Sequence, residues 1–117
     1  MNKLSLLDVA FFVAESEASP KHVGGLMICK RPARSRSTFA ADLYRDLLTF
    51  TDVESPFNRV IHFSLSAMPT WQEIDSVDLG QHVFYHQLRR GKNGRQELYA
   101  AVSELHQPML DRSRPLW

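Results

Sequence analysis

A single cysteine, Cys29, stands in the 117 residues. No internal disulfide can form, so any fold must rest on burial and hydrogen bonding, and a reducing compartment suits the pattern. Charge of one sign is lacking too. The 14 Lys and Arg against 13 Asp and Glu leave a formal net charge of +1, which gives no global field to draw the chain to nucleic acid or acidic lipid. No apolar run is long enough to span a bilayer: Asp8 interrupts the stretch from Met1 to Glu15, and no small-residue cleavage site follows. Nor does any serine occupy a G-x-S-x-G elbow, and Gly24-Gly25 has neither the spacing nor the lysine of a phosphate loop.

What is present is an ordinary globular composition, 44% hydrophobic and 23% charged, in a length that suits one domain and not two. A cytoplasmic protein is the expectation, with peripheral contact at a membrane or lipid-droplet surface as the alternative.

Ser5-Leu6-Leu7-Asp8 has the form of a capping box and opens an apolar stretch with Leu7, Phe11 and Ala14 at helical spacing. A mostly buried helix over Leu6 to Ser16 is expected, with a turn at Pro20. Val23, Leu26, Met27, Ile28 and Cys29 form a short apolar run that reads as a buried strand, and Gly24-Gly25 mark a bulge or a close backbone approach at its start. Lys30, Arg31, Arg34 and Arg36 flank Pro32 in a basic segment. With no aromatic residue between them, a solvated loop is favoured over a phosphate site. Thr38 is placed to cap a helix over Phe39 to Thr51, whose Phe39, Leu43, Leu47 and Phe50 share one face. Alternation from Arg59 to Ser66 predicts a half-buried strand. Met68 to Gly80 reads as irregular, Gln81 to Leu88 as a third strand, and Gln96 to His106 as a helix capped by Asn93. Interleaved helices and strands point to a layered α/β or α+β fold with a mixed sheet.

Five histidines invite a catalytic or metal reading. His82 and His86 are four apart, but Val83, Phe84 and Tyr85 between them favour a strand, on which four residues span about 13 Å, too far for one ion. No metal site is expected. Cys29 lies in an apolar run and reads as a small buried hydrophobe rather than a nucleophile. The acids Glu73, Asp75 and Asp78 read as loop carboxylates. The residues alone therefore offer no catalytic constellation.

Four stretches, in order, resemble the wax ester synthase/diacylglycerol acyltransferase family. Leu4-Ser5-Leu6-Leu7-Asp8 with Phe12 and Glu15 resembles its usual beginning, although Leu6 stands where the family commonly has Pro or Gly. Pro20-Lys21-His22-Val23-Gly24-Gly25-Leu26 resembles its P-x-H-V-G-G-L. The segment Trp71 to Val83, with Asp78-Leu79 and His82-Val83, resembles its W…D…D-L…H-V stretch. Leu105-His106, Pro108 and Leu110-Asp111-Arg112-Ser113-Arg114-Pro115-Leu116-Trp117 resemble its L-H…P-L-D-R-S-R-P-L-W region, which ends on the PLW motif.

The resemblance implies a chloramphenicol-acetyltransferase-like fold, in which two α/β lobes enclose a tunnel for acyl-CoA and an alcohol. It implies a general-base histidine in an H-H-x-x-x-D-G motif that follows PLW, and no cofactor, acyl-CoA being a substrate. Residues 1–117 contain no adjacent His-His pair and are expected to form a single incomplete N-terminal segment of the acyltransferase domain. His22, Gly24, Gly25, Asp111, Arg112, Pro115, Leu116 and Trp117 take structural roles in that expectation. His22 bonds near a close-packed backbone, Asp111 forms a buried ion pair with Arg112 or Arg114, and Pro115 to Trp117 pack the approach to the active site. The partners implied are acyl-CoA and a long-chain alcohol or diacylglycerol in the complete enzyme, with the remaining polypeptide or a second copy completing it. The competing expectation is a non-catalytic acyl-binding or partner-interaction module.

Overall fold

The computed structural model describes residues 2–117. Seven short elements follow one another: β1 (Asn2–Lys3), α1 (Leu6–Ala14), α2 (Phe39–Leu47), β2 (Arg59–His62), β3 (Thr70–Glu73), a single 3-10 turn (Leu79–Gln81) and α3 (Gly94–His106). The three strands form one antiparallel sheet in the order β1-β3-β2, so the architecture is mixed α/β.

The alternation of β2 sets its register. Ile61 faces Trp71 across the pair and is 8% exposed, while Arg59 stands opposite Glu73. The Arg59 guanidinium bonds that carboxylate at 3.1 Å, the cross-strand charge pair that an antiparallel ladder favours. Leu4 donates its amide to the Pro69 carbonyl at 3.1 Å and is buried. With Ile61 and Leu79 it makes up the buried apolar core.

The capping box at the start of α1 forms in full: Asp8 donates its amide to Ser5 Oγ, and Ser5 donates its own to the Asp8 carboxylate, both at 3.1 Å. The helix ends at Ala14 and not at Ser16, and it is not buried. Leu6, Leu7, Phe11 and Val13 are 82%, 66%, 51% and 81% exposed, because no second layer lies over that face among the described residues. Helix α2 is likewise shorter than its periodicity predicts. Thr38 makes no side-chain cap, its hydroxyl donating instead to the Asp42 carboxylate at 2.8 Å. Helix α3 begins two residues earlier than predicted, and Asn93 leaves its first turn without a side-chain cap.

Three corrections concern strands. Strand β2 stops at His62, with Phe63 and Leu65 exposed beyond it. Strand β3 lies inside the stretch that reads as irregular, where Pro69 and the acids mask the alternation of Thr70 to Glu73. The predicted strands at Val23 to Cys29 and Gln81 to Leu88 carry no ladder. The chain runs from Pro20 to Pro32, and again from Val83 to Arg90, without a turn or a bend, but no strand flanks either ribbon. Cys29, expected to be buried, is exposed.

The result is a thin slab of 56 × 33 × 17 Å. Its accessible surface is 9984 Å², where a compact monomer of this mass exposes about 6,500 Å². Its radius of gyration is 17.7 Å, against about 13 Å for a closed domain of this length.

Candidate functional site

Three side-chain clusters join the stretches that carry the resemblance. The first is built on Arg112, which sits at the far end of the sequence from α1. Its guanidinium donates to the Phe12 carbonyl at 3.0 Å and to Glu15 Oε1 at 3.1 Å, and its charged carbon lies 4.8 Å from the centre of the Phe12 ring. The Phe12 ring in turn meets Trp71 edge-on at 6.5 Å. Glu15 Oε2 accepts the Lys21 amide at 2.8 Å, so a single carboxylate ties the end of α1 both to the Pro20–Leu26 segment and to Arg112. The Lys21 amide, followed by the Arg112 guanidinium and the nearby His22, holds the Glu15 carboxyl below its ordinary value against the opposing effect of burial.

The second cluster is built on His22 and His106. His22 Nε2 lies 2.7 Å from the His106 carbonyl, and since a carbonyl only accepts, Nε2 is the donor. The two rings meet edge-on at 4.5 Å. A Cβ on Gly24 would lie 3.1 Å from His106 Nδ1, so the missing side chain is what allows the ribbon to approach the end of α3. Gly25 has nothing within 4 Å of such a Cβ.

The third cluster grips Trp117. His82 donates from Nδ1 to the Trp117 carbonyl at 2.8 Å, and its ring stacks on the indole at 4.3 Å and 20°. The indole donates from Nε1 to the Phe57 carbonyl at 2.7 Å and meets the Phe57 ring edge-on. Arg114 reaches Gln81 Oε1 at 3.1 Å, Asp78 closes the 3-10 turn by accepting the Gly80 amide at 3.0 Å, and Pro115 is buried. Thus His82 and Phe57 hold Trp117, and the 3-10 turn anchors Arg114 just before Pro115.

The Asp111 ion pair forms with Arg114, at 3.4 Å, but both side chains are partly exposed and not buried as expected, and Arg112 pairs with Glu15. The Ser113 hydroxyl and then its amide hold the Asp111 carboxyl below its ordinary value, with a smaller contribution from Arg114. Glu15 is the partner that the spacing alone does not suggest, since it lies 97 residues from Arg112.

Two clefts border these clusters: one, of about 250 Å³, lies between Phe11, Phe12, Glu15, His22, Leu110 and Leu116, and one, of about 420 Å³, lies between Gly24, Leu26, Val102 and His106. A cleft of about 360 Å³ away from them runs along α2, lined by Phe39, Leu43 and Leu47 on one side and by Cys29 to Arg31 and Val83 to Tyr85 on the other. Among the described residues no three His, Cys, Asp or Glu side chains group to hold a metal ion, and no helix is long and apolar enough to cross a membrane. The clusters orient backbone. They place no base against a nucleophile.

Comparison with known proteins agrees with this motif arrangement. The chain is 34% identical over 116 residues to a putative diacylglycerol O-acyltransferase of Mycobacterium tuberculosis, covering 97% of this chain and 23% of that protein. It is 31% identical over 118 residues to the O-acyltransferase WSD of Acinetobacter baylyi, covering 100% of this chain and 24% of the relative. The solved wax ester synthase/diacylglycerol acyltransferase from Marinobacter aquaeolei VT8 superposes with a TM-score of 0.87 at 32% identity, over 97% of this chain and 28% of that one. The chain therefore spans between 23% and 28% of the length of these relatives. Residues 4–117 match the wax ester synthase/diacylglycerol acyltransferase catalytic domain, and the chain belongs to that family.

Proposed function

We propose that these residues serve acyl-CoA-dependent O-acyl transfer, forming wax esters or triacylglycerol from a long-chain alcohol or diacylglycerol. Their part in that reaction is to position, with the base supplied from elsewhere. The observation that carries the reading is the seat of Trp117, where His82 and Phe57 hold the last residue of the motif next to which this family's general base is expected. Residues 1–117 hold no adjacent His-His pair. The same side chains fix the direction in which the backbone leaves Pro115-Leu116-Trp117, and a displacement of 1 Å at a reacting group can cost about a hundredfold in rate.

His22, Gly24 and Gly25 hold the ribbon against α3 in this reading, and Asp111 and Arg112 fix the approach of the chain to the PLW motif. Acyl-CoA is a substrate and no cofactor is needed. The assay is transfer of a labelled long-chain acyl group from CoA to a long-chain alcohol or to diacylglycerol. The 117-residue chain alone should give no ester above the blank. The same chain co-expressed with the remainder of the Acinetobacter relative, from which the aligned segment is removed, should give ester. Ester formed by the chain alone, or none from a co-expressed pair that assembles, sinks the proposal.

A second reading, a non-catalytic acyl-binding module, is favoured by the apolar floor of the α2 cleft. It requires saturable heat on titration with a long-chain acyl-CoA, and a flat titration removes it.

A further inference from the structure

The charge of the chain is balanced as a whole and lopsided along its length. No acid stands between Asp78 and Glu97, and the turn that enters α3 carries Arg89, Arg90, Lys92 and Arg95 within seven residues. All four are exposed, and none of their side chains makes a hydrogen bond or an ion pair with a described residue. Glu97, the first acid to follow, is occupied, since its carboxylate accepts the Arg89 amide at 3.1 Å. Elsewhere arginines are matched: Arg45 with Asp42, Arg59 with Glu73, Arg112 with Glu15 and Arg114 with Asp111. The basic segment from Lys30 to Arg36 is less free, because Arg31 donates to the Arg36 carbonyl at 3.4 Å. Apolar and aromatic groups flank the turn. Leu88, 37% exposed, precedes it, and Tyr99, 54% exposed, lies one helical turn beyond Arg95 on the same face of α3.

We propose that the turn from Arg89 to Arg95, with Tyr99 beside it, is a docking surface for an anionic phospholipid membrane. Like charges with no partner of their own repel one another, and fixed negative charge brought close relieves the repulsion. A bilayer face rich in phosphatidylglycerol supplies that charge over a broad area, where each Lys or Arg near the surface strengthens binding by roughly fivefold. A tyrosine suits the headgroup level, because its ring meets apolar matter while its hydroxyl stays wet. A single bound phosphate would need a pocket that gathers the cations. None of the four lines either cleft at the clusters or the cleft along α2, so an extended surface fits better than a small anion. A nucleic-acid groove sets several aromatic faces among its cations, and between Leu88 and Tyr99 only Tyr99 offers one.

Co-sedimentation of the whole chain with vesicles tests this, using phosphatidylglycerol/phosphatidylcholine in one arm and phosphatidylcholine alone in the other. In about 0.1 M salt the chain should partition at least about a hundredfold better onto the anionic vesicles, and about 0.5 M salt should remove most of that preference. The variant Arg89→Gln/Arg90→Gln/Lys92→Gln/Arg95→Gln should bring the two arms within about fivefold of each other. The variant Lys30→Gln/Arg31→Gln/Arg34→Gln/Arg36→Gln removes the same net charge and should stay within about fivefold of the unmodified chain. An unchanged urea midpoint shows that each variant is folded. Should the first unfold, Arg90→Glu/Lys92→Glu, confined to the loop before α3, gives the same reading with fewer changes. Equal binding to both kinds of vesicle overturns the proposal, as does an equal loss in the two Gln variants. Tighter binding to a single-stranded oligonucleotide than to the anionic vesicles overturns it too. Docking and acyl transfer fail separately. A chain that docks through this turn but completes no active acyltransferase removes only the activity, and an active complex that ignores anionic vesicles removes only the docking surface.

Discussion

Around Arg112 and Trp117, side chains reach across 100 and 35 residues of sequence to carbonyl oxygens that would otherwise be unpaired. Along Val23 to Cys29, seven consecutive residues pair with no backbone at all. Both regions carry the strongest family motifs, so motif strength does not explain the difference. The Arg112 and Trp117 clusters draw their partners from within the described residues, from Phe12, Glu15, Phe57 and His82, with only Arg112 Nε left without one. The ribbons have side chains and edges shaped for neighbours, and the described residues contain none. A motif can thus be complete in sequence while its physical context is only half present.

Substitutions can sharpen or break that contrast. The largest loss is expected from Ile61→Ala, which empties one of the few buried apolar positions among the described residues and should cost about 2–3 kcal/mol in urea unfolding followed by Trp71 fluorescence. Next comes Arg112→Ala, which removes charged hydrogen bonds to Phe12 and Glu15 and should cost about 2 kcal/mol by the same measurement. Trp117→Phe keeps a ring over His82 but loses the bond to the Phe57 carbonyl, so about 1 kcal/mol is expected. At the bottom stands Met27→Ser on the open ribbon, where a change within about 0.5 kcal/mol is expected. A loss there as large as that of Ile61→Ala would mean that the ribbon is already packed, and the contrast would collapse.

Acid provides an independent handle on the Glu15 junction. Its carboxyl is held below the ordinary value in the fold, so the folded state favours the ionised form. That contribution is present above the unfolded glutamate value of about 4.3 and fades as pH falls through the lower folded value. Glu15→Gln should flatten the stability profile below about pH 5 while leaving it unchanged in shape between about pH 6 and 8. An unchanged acid limb would show that another carboxylate controls it.

How much of this was legible in the sequence depends on the range of the interaction. The capping box of Ser5 and Asp8 spans three residues and formed as read. The periodicity of α3 spans its own helix and placed it within two residues. The buried face of α1 was misread because helical spacing reports which side chains share a face, and burial needs a second layer. The same holds for Val23 to Cys29: the apolar run reads as a buried strand, yet it carries no ladder and lies exposed, because a run of apolar side chains reports neither the partner strand nor the covering layer. Strand β3 was hidden by a proline and by acids whose side chains face outward. The Arg112–Glu15 and His82–Trp117 contacts left no local trace, since nothing in a sequence window links positions 97 or 35 residues apart.

The lone thiol gains a use from its position. Cys29 is exposed at the end of the open ribbon and on the lip of the α2 cleft. With no second cysteine in the chain, one molecule of a maleimide dye marks one known place. Whatever occupies that cleft would shield the sulfur, so its alkylation rate reports occupancy and can be read in a crude mixture.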